Sequence, residues 1–135
     1  MLVEIQVNKT KKKVYALDEN YHVMAEFPVG TSFVAGFNEY GQPYSNVEDG
    51  VYNDGWVWAE AYGSESQDEV YGWAFINIDS RCRAIHGGRN LEPYQDSLKS
   101  TYGCFRMYNA DVLWLAYQFL EAEKTGYKPC IHVVS

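Results

Sequence analysis

Apolar and polar positions alternate from Val3 to Gln6, and after a Lys-rich turn the same period resumes from Lys13 to Leu17. Period-two alternation marks a strand with one buried face. Asp18-Glu19-Asn20 carries turn chemistry, and His22 to Val29 forms a third strand ending at Gly30. Three strands joined by short turns predict an antiparallel meander. Thr31 to Asp49 is rich in Gly, Asn, Ser and Pro and reads mostly as loop. Gly55 to Tyr62 is a strand with Trp56, Trp58 and Glu60 on one face and Val57, Ala59 and Ala61 on the other.

An acidic surface link from Ser64 to Glu69 leads into a further strand, Val70 to Ile78. Alternation returns from Arg81 to Ile85 and stops at His86-Gly87-Gly88, and a loop without periodicity runs from Arg89 to about Thr101. The period then changes. Asn109 reads as the cap of a helix whose apolar stripe is Val112, Leu113, Ala116, Phe119 and Leu120, with Gly126 ending it. Ile131 to Val134 is a closing strand. No repeat, linker or second domain interrupts the pattern. Residues 1–135 therefore read as one mainly β domain with a helix packed on a sheet.

Composition agrees with this reading. Hydrophobic residues make up 47 % of the 135 and aromatics 16 %, enough for a single core and too much for a disordered chain. Twelve tyrosines and four tryptophans favour pleated surfaces. A formal charge of -7 repels phosphate backbones and argues against nucleic acid as a partner. The basic cluster Lys9 to Lys13 reads as a solvated hairpin tip, with local attraction to an anionic polymer as the alternative. No run approaches the roughly 20 apolar residues of a membrane span. The opening MLVEIQVNKT has the alternation of a strand rather than the pattern of a signal peptide.

Three cysteines, Cys82, Cys104 and Cys130, are too few for a disulfide scaffold. Cys82 and Cys130 either pair, should the protein be exported, or are two small buried strand residues, which is the simpler reading. Either way Cys104 is left over. It lies in Thr101-Tyr102-Gly103-Cys104-Phe105-Arg106-Met107, just before the helix, whereas His86 ends a strand.

A thiol attacks carbonyls as the thiolate, and an isolated Cys has a pKa of about 8.5, so a neighbouring imidazole has to take its proton. That imidazole needs its other nitrogen held by an acceptor, a carboxylate or a backbone carbonyl. Gly103 allows a tight turn that aims main-chain N–H groups at a developing oxyanion. Arg106, two positions after the thiol, is placed to bind a carboxylate bidentately. On the other side, a lone Cys is usually a small buried hydrophobe and a lone His usually structural. His22 and His132 keep that ordinary role. Zinc on Cys82, His86 and Cys104 has no supporting Cys-x-x-Cys or His-x-x-x-His spacing, so neither a metal nor a cofactor is expected.

Ile85-His86-Gly87-Gly88 followed by Thr101-x-Gly103-Cys104-x-Arg106-Met107 resembles the signature of the L,D-transpeptidase catalytic domain, also called the YkuD domain. That signature is a His-Gly pair, a spacer of about fifteen residues, then Ser/Thr-x-Gly-Cys-x-Arg/Asn. The resemblance implies a mixed β-sandwich with one main helix after the Cys motif, and peptidoglycan stem peptides as substrate. It implies Cys104 as nucleophile, His86 as base and then acid, and the Gly87 carbonyl as the group that orients His86. Backbone N–H groups around Gly103 and Cys104 would form the oxyanion hole. Arg106 would bind substrate or hold the motif, with Thr101 fixing the loop. Tyr102 stands where many members carry His, and it is expected to shape the substrate site together with Tyr94.

The expected enzyme is thus acylated at Cys104 and resolved by an acceptor amine. Resolution by water, giving an L,D-carboxypeptidase, is the alternative within the same chemistry. A non-catalytic wall-binding module is the alternative outside it, and a thiol acyltransferase acting on another amide is a further one. The resemblance implies a periplasmic or cell-wall location, reached with a leader removed or as a phage-encoded or injected form.

Overall fold

The computed structural model describes residues 1–30, 47–59, 72–80, 83–88 and 105–135. Nine strands and a helix lie among them: β1 (Leu2–Asn8), β2 (Lys13–Asp18), β3 (Val23–Pro28), β4 (Gly50–Tyr52), β5 (Val57–Ala59), β6 (Ala74–Asn77), β7 (Ala84–His86), β8 (Phe105–Arg106), α1 (Asn109–Lys124) and β9 (Cys130–Val134). They form a five-stranded sheet, β3-β2-β1-β9-β4, and a four-stranded sheet, β5-β6-β7-β8.

The first sheet starts as the expected meander, with β1–β2 and β2–β3 antiparallel. Alternation along β1 sends Ile5 and Val7 inward opposite Ala16 and Val14 of β2, and the parallel neighbour β9 sets Ile131 and Val133 beside the same two residues. All six are fully buried, which makes one continuous apolar face. The parallel β1–β9 pair brings the end of the chain next to its beginning.

The second sheet is also mixed, with β5–β6 and β6–β7 antiparallel and β7–β8 parallel. Val57 and Ile76 face each other, as do Ile76 and Ile85, and Ile85 pairs with Phe105. Trp58, by contrast, lies exposed opposite Phe75, as the alternation along β5 requires. Val112, Leu113, Leu115, Ala116 and Phe119 of α1 join both sheets in one core. Leu115 belongs to that stripe as well, and Leu120 is only half-buried.

The two ends of α1 differ in how they are made. Its C-terminus closes as expected at Gly126, in left-handed conformation (φ 86°). There Gly126 N–H donates to Glu123 O (2.9 Å) and Tyr127 N–H to Ala122 O (3.2 Å). At the N-terminus, Tyr108 rather than Asn109 holds the cap position, with extended backbone (φ -62°, ψ 145°). Asn109 is the first helical residue, and its side chain is engaged elsewhere.

Two short strands fall outside those read from the sequence, β4 just after the Thr31 to Asp49 loop and β8 within the Cys104 motif. The basic tip is also less solvated than its composition suggests. Lys9 Nζ pairs with Asp49 at 2.8 Å and donates to Val47 O at 3.1 Å.

Candidate active site

β7 ends on His86, and the neighbouring strands determine what surrounds it. Phe75 of β6 pairs with it from one side and Arg106 of β8 from the other. The imidazole is 4 % exposed and lies nearly parallel to the Phe75 ring, with centroids 6.4 Å apart and planes 12° from parallel. Phe75 in turn packs against exposed Trp56, centroids 5.2 Å apart. The main chain of His86 is held too: its carbonyl accepts from Met107 N–H at 2.9 Å.

The Nδ1 atom of His86 lies 2.5 Å from the carbonyl oxygen of Gly87. A carbonyl only accepts, so Nδ1 carries the hydrogen. In the neutral ring the basic lone pair is then on Nε2. The local sequence explains how a residue can reach its own successor's carbonyl. The chain leaves β7 through two glycines, whose wide φ/ψ freedom lets the Gly87 carbonyl turn toward the ring.

Those glycines are held in turn by α1. Asn109 Oδ1 accepts from Gly88 N–H at 3.0 Å and from Trp73 N–H at 3.3 Å, and its Nδ2 donates to Gly88 O at 2.8 Å. Gly72 makes room for this arrangement. It sits at φ 70°, and a Cβ there would lie 2.0 Å from Asn109 Oδ1 and 2.3 Å from Gly88 N. Sequence reading missed both residues. Asn at the head of a helix is so common as a cap that its other use was hidden. An isolated Gly inside a strand pattern, however, is a usable sign of close backbone approach.

Arg106 is half-buried, and burial holds its guanidinium below the usual arginine value. Its main chain makes a two-bond bridge with Gly30: Gly30 N–H donates to Arg106 O (2.8 Å) and Arg106 N–H to Gly30 O (3.0 Å). The end of the first meander is thus tied to the strand beside His86.

Of the expected site residues, the structure brings together His86, Gly87 and Arg106. Thr101, Tyr102, Gly103 and Cys104 lie outside the described residues, as do Tyr94 and Cys82. The remaining histidines are remote in role. His22 lies in the turn before β3, its N–H bonded to Asp18 at 2.9 Å, and His132 Nδ1 lies 3.4 Å from Glu4. Cys130 carries a free, half-buried thiol that points at Glu4 Oε1, 3.6 Å away. Among the described residues no group of three His, Cys, Asp or Glu could hold a metal ion.

The family model for the L,D-transpeptidase catalytic domain, YkuD, matches residues 3–126. No curated protein matches the chain in sequence. Among solved structures, the L,D-transpeptidase (residues 123-326) from Xylanimonas cellulosilytica superposes with a TM-score of 0.62 at 14 % identity, over 96 % of this chain and 59 % of that one. An L,D-transpeptidase from Mycobacterium smegmatis gives 0.56 at 10 % identity, over 98 % and 58 %. LD transpeptidase LdtMt1, solved in complex with imipenem, gives 0.54 at 11 % identity, over 98 % and 59 %. At such identities the likeness is one of fold: two mixed sheets and a helix. The chain spans less than two thirds of the length of these structures.

Proposed function

Because the chain belongs to the L,D-transpeptidase catalytic domain family, we propose that it is a cysteine-dependent peptidoglycan L,D-transpeptidase with Cys104 as nucleophile and His86 as base. The observation that carries this is the hydrogen bond from His86 Nδ1 to the Gly87 carbonyl. It sets the tautomer that leaves Nε2 to accept a proton.

The reaction follows from these groups. Nε2 takes the Cys104 proton, and the thiolate attacks the carbonyl of the third stem-peptide residue. The carbonyl becomes an oxyanion, stabilised by backbone N–H groups around Gly103 and Cys104. As the tetrahedral adduct collapses, the C–N bond breaks and the imidazolium protonates the departing amine of the terminal D-amino acid. A thioester remains on Cys104. An acceptor amine then attacks it, His86 removing the amine proton and returning it to the thiolate as the cross-link forms. Water in place of the amine gives carboxypeptidation by the same steps.

Arg106, charged and one strand from His86, supplies a counter-charge for a stem-peptide carboxylate. Thr101 and Tyr102 shape the same substrate site. Chain connectivity supports the pairing of Cys104 with His86, since Cys104 is bonded to Phe105 and β8 runs alongside β7. The place of action is the cell wall, outside the cytoplasm. No helix among the described residues is long and apolar enough to cross a membrane.

Carbapenems acylate cysteines of this kind, so the test is incubation with imipenem followed by intact-mass measurement. One adduct on the native protein and none on Cys104→Ala is the expected result. No adduct, together with unchanged purified muropeptides, would overturn the enzyme reading in favour of a wall-binding module. Muropeptide products also separate cross-linking from trimming.

A further inference from the structure

Two consecutive glycines are a poor way to hold a carbonyl still, because each has wide φ/ψ freedom. Yet the Gly87 carbonyl meets His86 Nδ1 at close range. The peptide unit between Gly87 and Gly88 explains how. Its C=O and N–H are coplanar and point in opposite directions, so fixing one fixes the other. On the N–H side stands Asn109 Oδ1, 3.0 Å from Gly88 N. We propose that Asn109 is a positioning residue for His86, acting through the Gly87–Gly88 peptide to hold the Gly87 carbonyl on Nδ1. The inference rests on the reading of His86 as the base.

The arrangement is a relay: His86 Nδ1–H donates to Gly87 O, and the N–H of the same peptide donates to Asn109 Oδ1. Each bond polarises the peptide in the direction that favours the other. A second bond, from Asn109 Nδ2 to Gly88 O at 2.8 Å, stops the next peptide from rotating. The amide itself cannot turn over, because flipping it would set an NH2 group against the N–H groups of Gly88 and Trp73. Its backbone belongs to the first turn of α1, whose following residues are anchored in the core. Gly72 closes the cradle: a Cβ there would lie 2.8 Å from Gly87 C as well as against the Asn109 amide. Asn109 thus meets both peptide groups of Gly88 and the Trp73 N–H, as buried backbone groups require.

An amide is the side chain this geometry demands. Aspartate would keep the acceptor and the size but lose the donor to Gly88 O, and it would bury a charge. Alanine would remove all three bonds and leave Gly87 free to turn its carbonyl away. His86 would then relax toward the tautomer with hydrogen on Nε2, the wrong nitrogen for a base aimed at a thiol.

The test reads the imidazole directly. With 15N-labelled histidine, the native protein is expected to show neutral His86 protonated at Nδ1, with His22 and His132 as internal references. In Asn109→Ala that pattern should shift toward hydrogen on Nε2, and acylation by imipenem should slow roughly 10- to 100-fold. Ala122→Gly, at a buried position remote from the relay, weakens the same helix by at least about 1 kcal/mol, and it should leave the tautomer unchanged. Asn109→Asp covers the case in which the alanine variant does not fold: its carboxylate, one peptide away, should move the His86 titration midpoint upward. A folded Asn109→Ala with the native tautomer, or Asn109→Asp with an unmoved midpoint, would overturn the proposal. A tautomer shift in a protein that imipenem never acylates would sustain it while removing the enzyme reading. Normal acylation of both the native protein and a folded Asn109→Ala, with the native tautomer in each, would do the reverse.

Discussion

A thiol is only as reactive as its surroundings allow, and Cys130 is held back by them. Burial pushes it up from the ordinary thiol value, and the charge and hydrogen-bond acceptor of Glu4 push the same way. At neutral pH it should therefore be alkylated by iodoacetamide more slowly than an unstructured cysteine, and Glu4→Gln should speed it up. Peptide mapping over a time course checks this, and labelling at the rate of a free cysteine would contradict it. The outcome bears on the proposed nucleophile, because Cys130 is then a weak competitor in thiol-directed experiments. Individual residues were legible in the sequence where a motif joined them. The motif names His86, Gly87 and Arg106, which the structure sets side by side, and the resemblance implies the Gly87 carbonyl on His86 Nδ1 that the structure shows. Asn109 and Gly72 were not found, since their roles depend on a contact between α1 and the end of β7 that no local spacing encodes.

At the level of elements, strands and helix with enough length to show a period were readable. β1, β2, β3 and β9 fall within a residue or two of the alternating segments, and α1, Asn109–Lys124, lies between the expected cap at Asn109 and the expected stop at Gly126. β4 and β8 have three residues and two, too few to display a period of two, and both exist only because a distant strand pairs with them. α1 also carries a testable conflict in its first turn. Asp111 is half-buried, and desolvation raises its carboxyl above the usual aspartate value, although the helix N-terminus favours the charge. A raised folded pKa means that the native state binds the proton more tightly than the unfolded chain. Its contribution is therefore full below about pH 4, the unfolded value, and is lost as pH rises through the folded value. Asp111→Asn should remove that loss, so its stability advantage over the native protein should grow from about pH 4 upward and then level off. Asp18 and Asp49 act with the opposite sign, being lowered chiefly by bonds from the His22 backbone and from Lys9 respectively. The comparison thus has to be the difference between the two proteins in urea midpoints across pH. A difference that is constant with pH would refute the assignment.

Across the whole molecule, the two sheets share a core, but polar ties also join them near the site. One is the Gly30–Arg106 bridge. The other centres on Arg83, whose side chain is 6 % exposed. Its guanidinium meets Asp79 at 2.5 Å and Glu48 at 2.9 Å. Desolvation opposes the charge there, but the two carboxylates outweigh it and hold the arginine above its ordinary value. Glu48 leads into β4 of the first sheet, whereas Asp79 lies in the connection from β6 to β7 of the second. The Arg83 carbonyl also accepts from Ile78 N–H at 2.7 Å, so the same residue closes the turn that aims β7 toward His86. The two arms should differ in strength, because Asp79 is 15 % exposed and Glu48 is 65 % exposed. Glu48→Gln should cost no more than about 1 kcal/mol, as for an exposed pair. Arg83→Met should cost about 2–4 kcal/mol, since it strands the Asp79 carboxylate in a largely buried place. Adding Asp79→Asn to Arg83→Met should recover part of that loss, because the stranded charge is gone. Chemical denaturation of the three variants measures each step. If Arg83→Met is as mild as Glu48→Gln, the tie is only a surface ion pair, and the joining of the two sheets rests on the apolar core and the Gly30–Arg106 bridge.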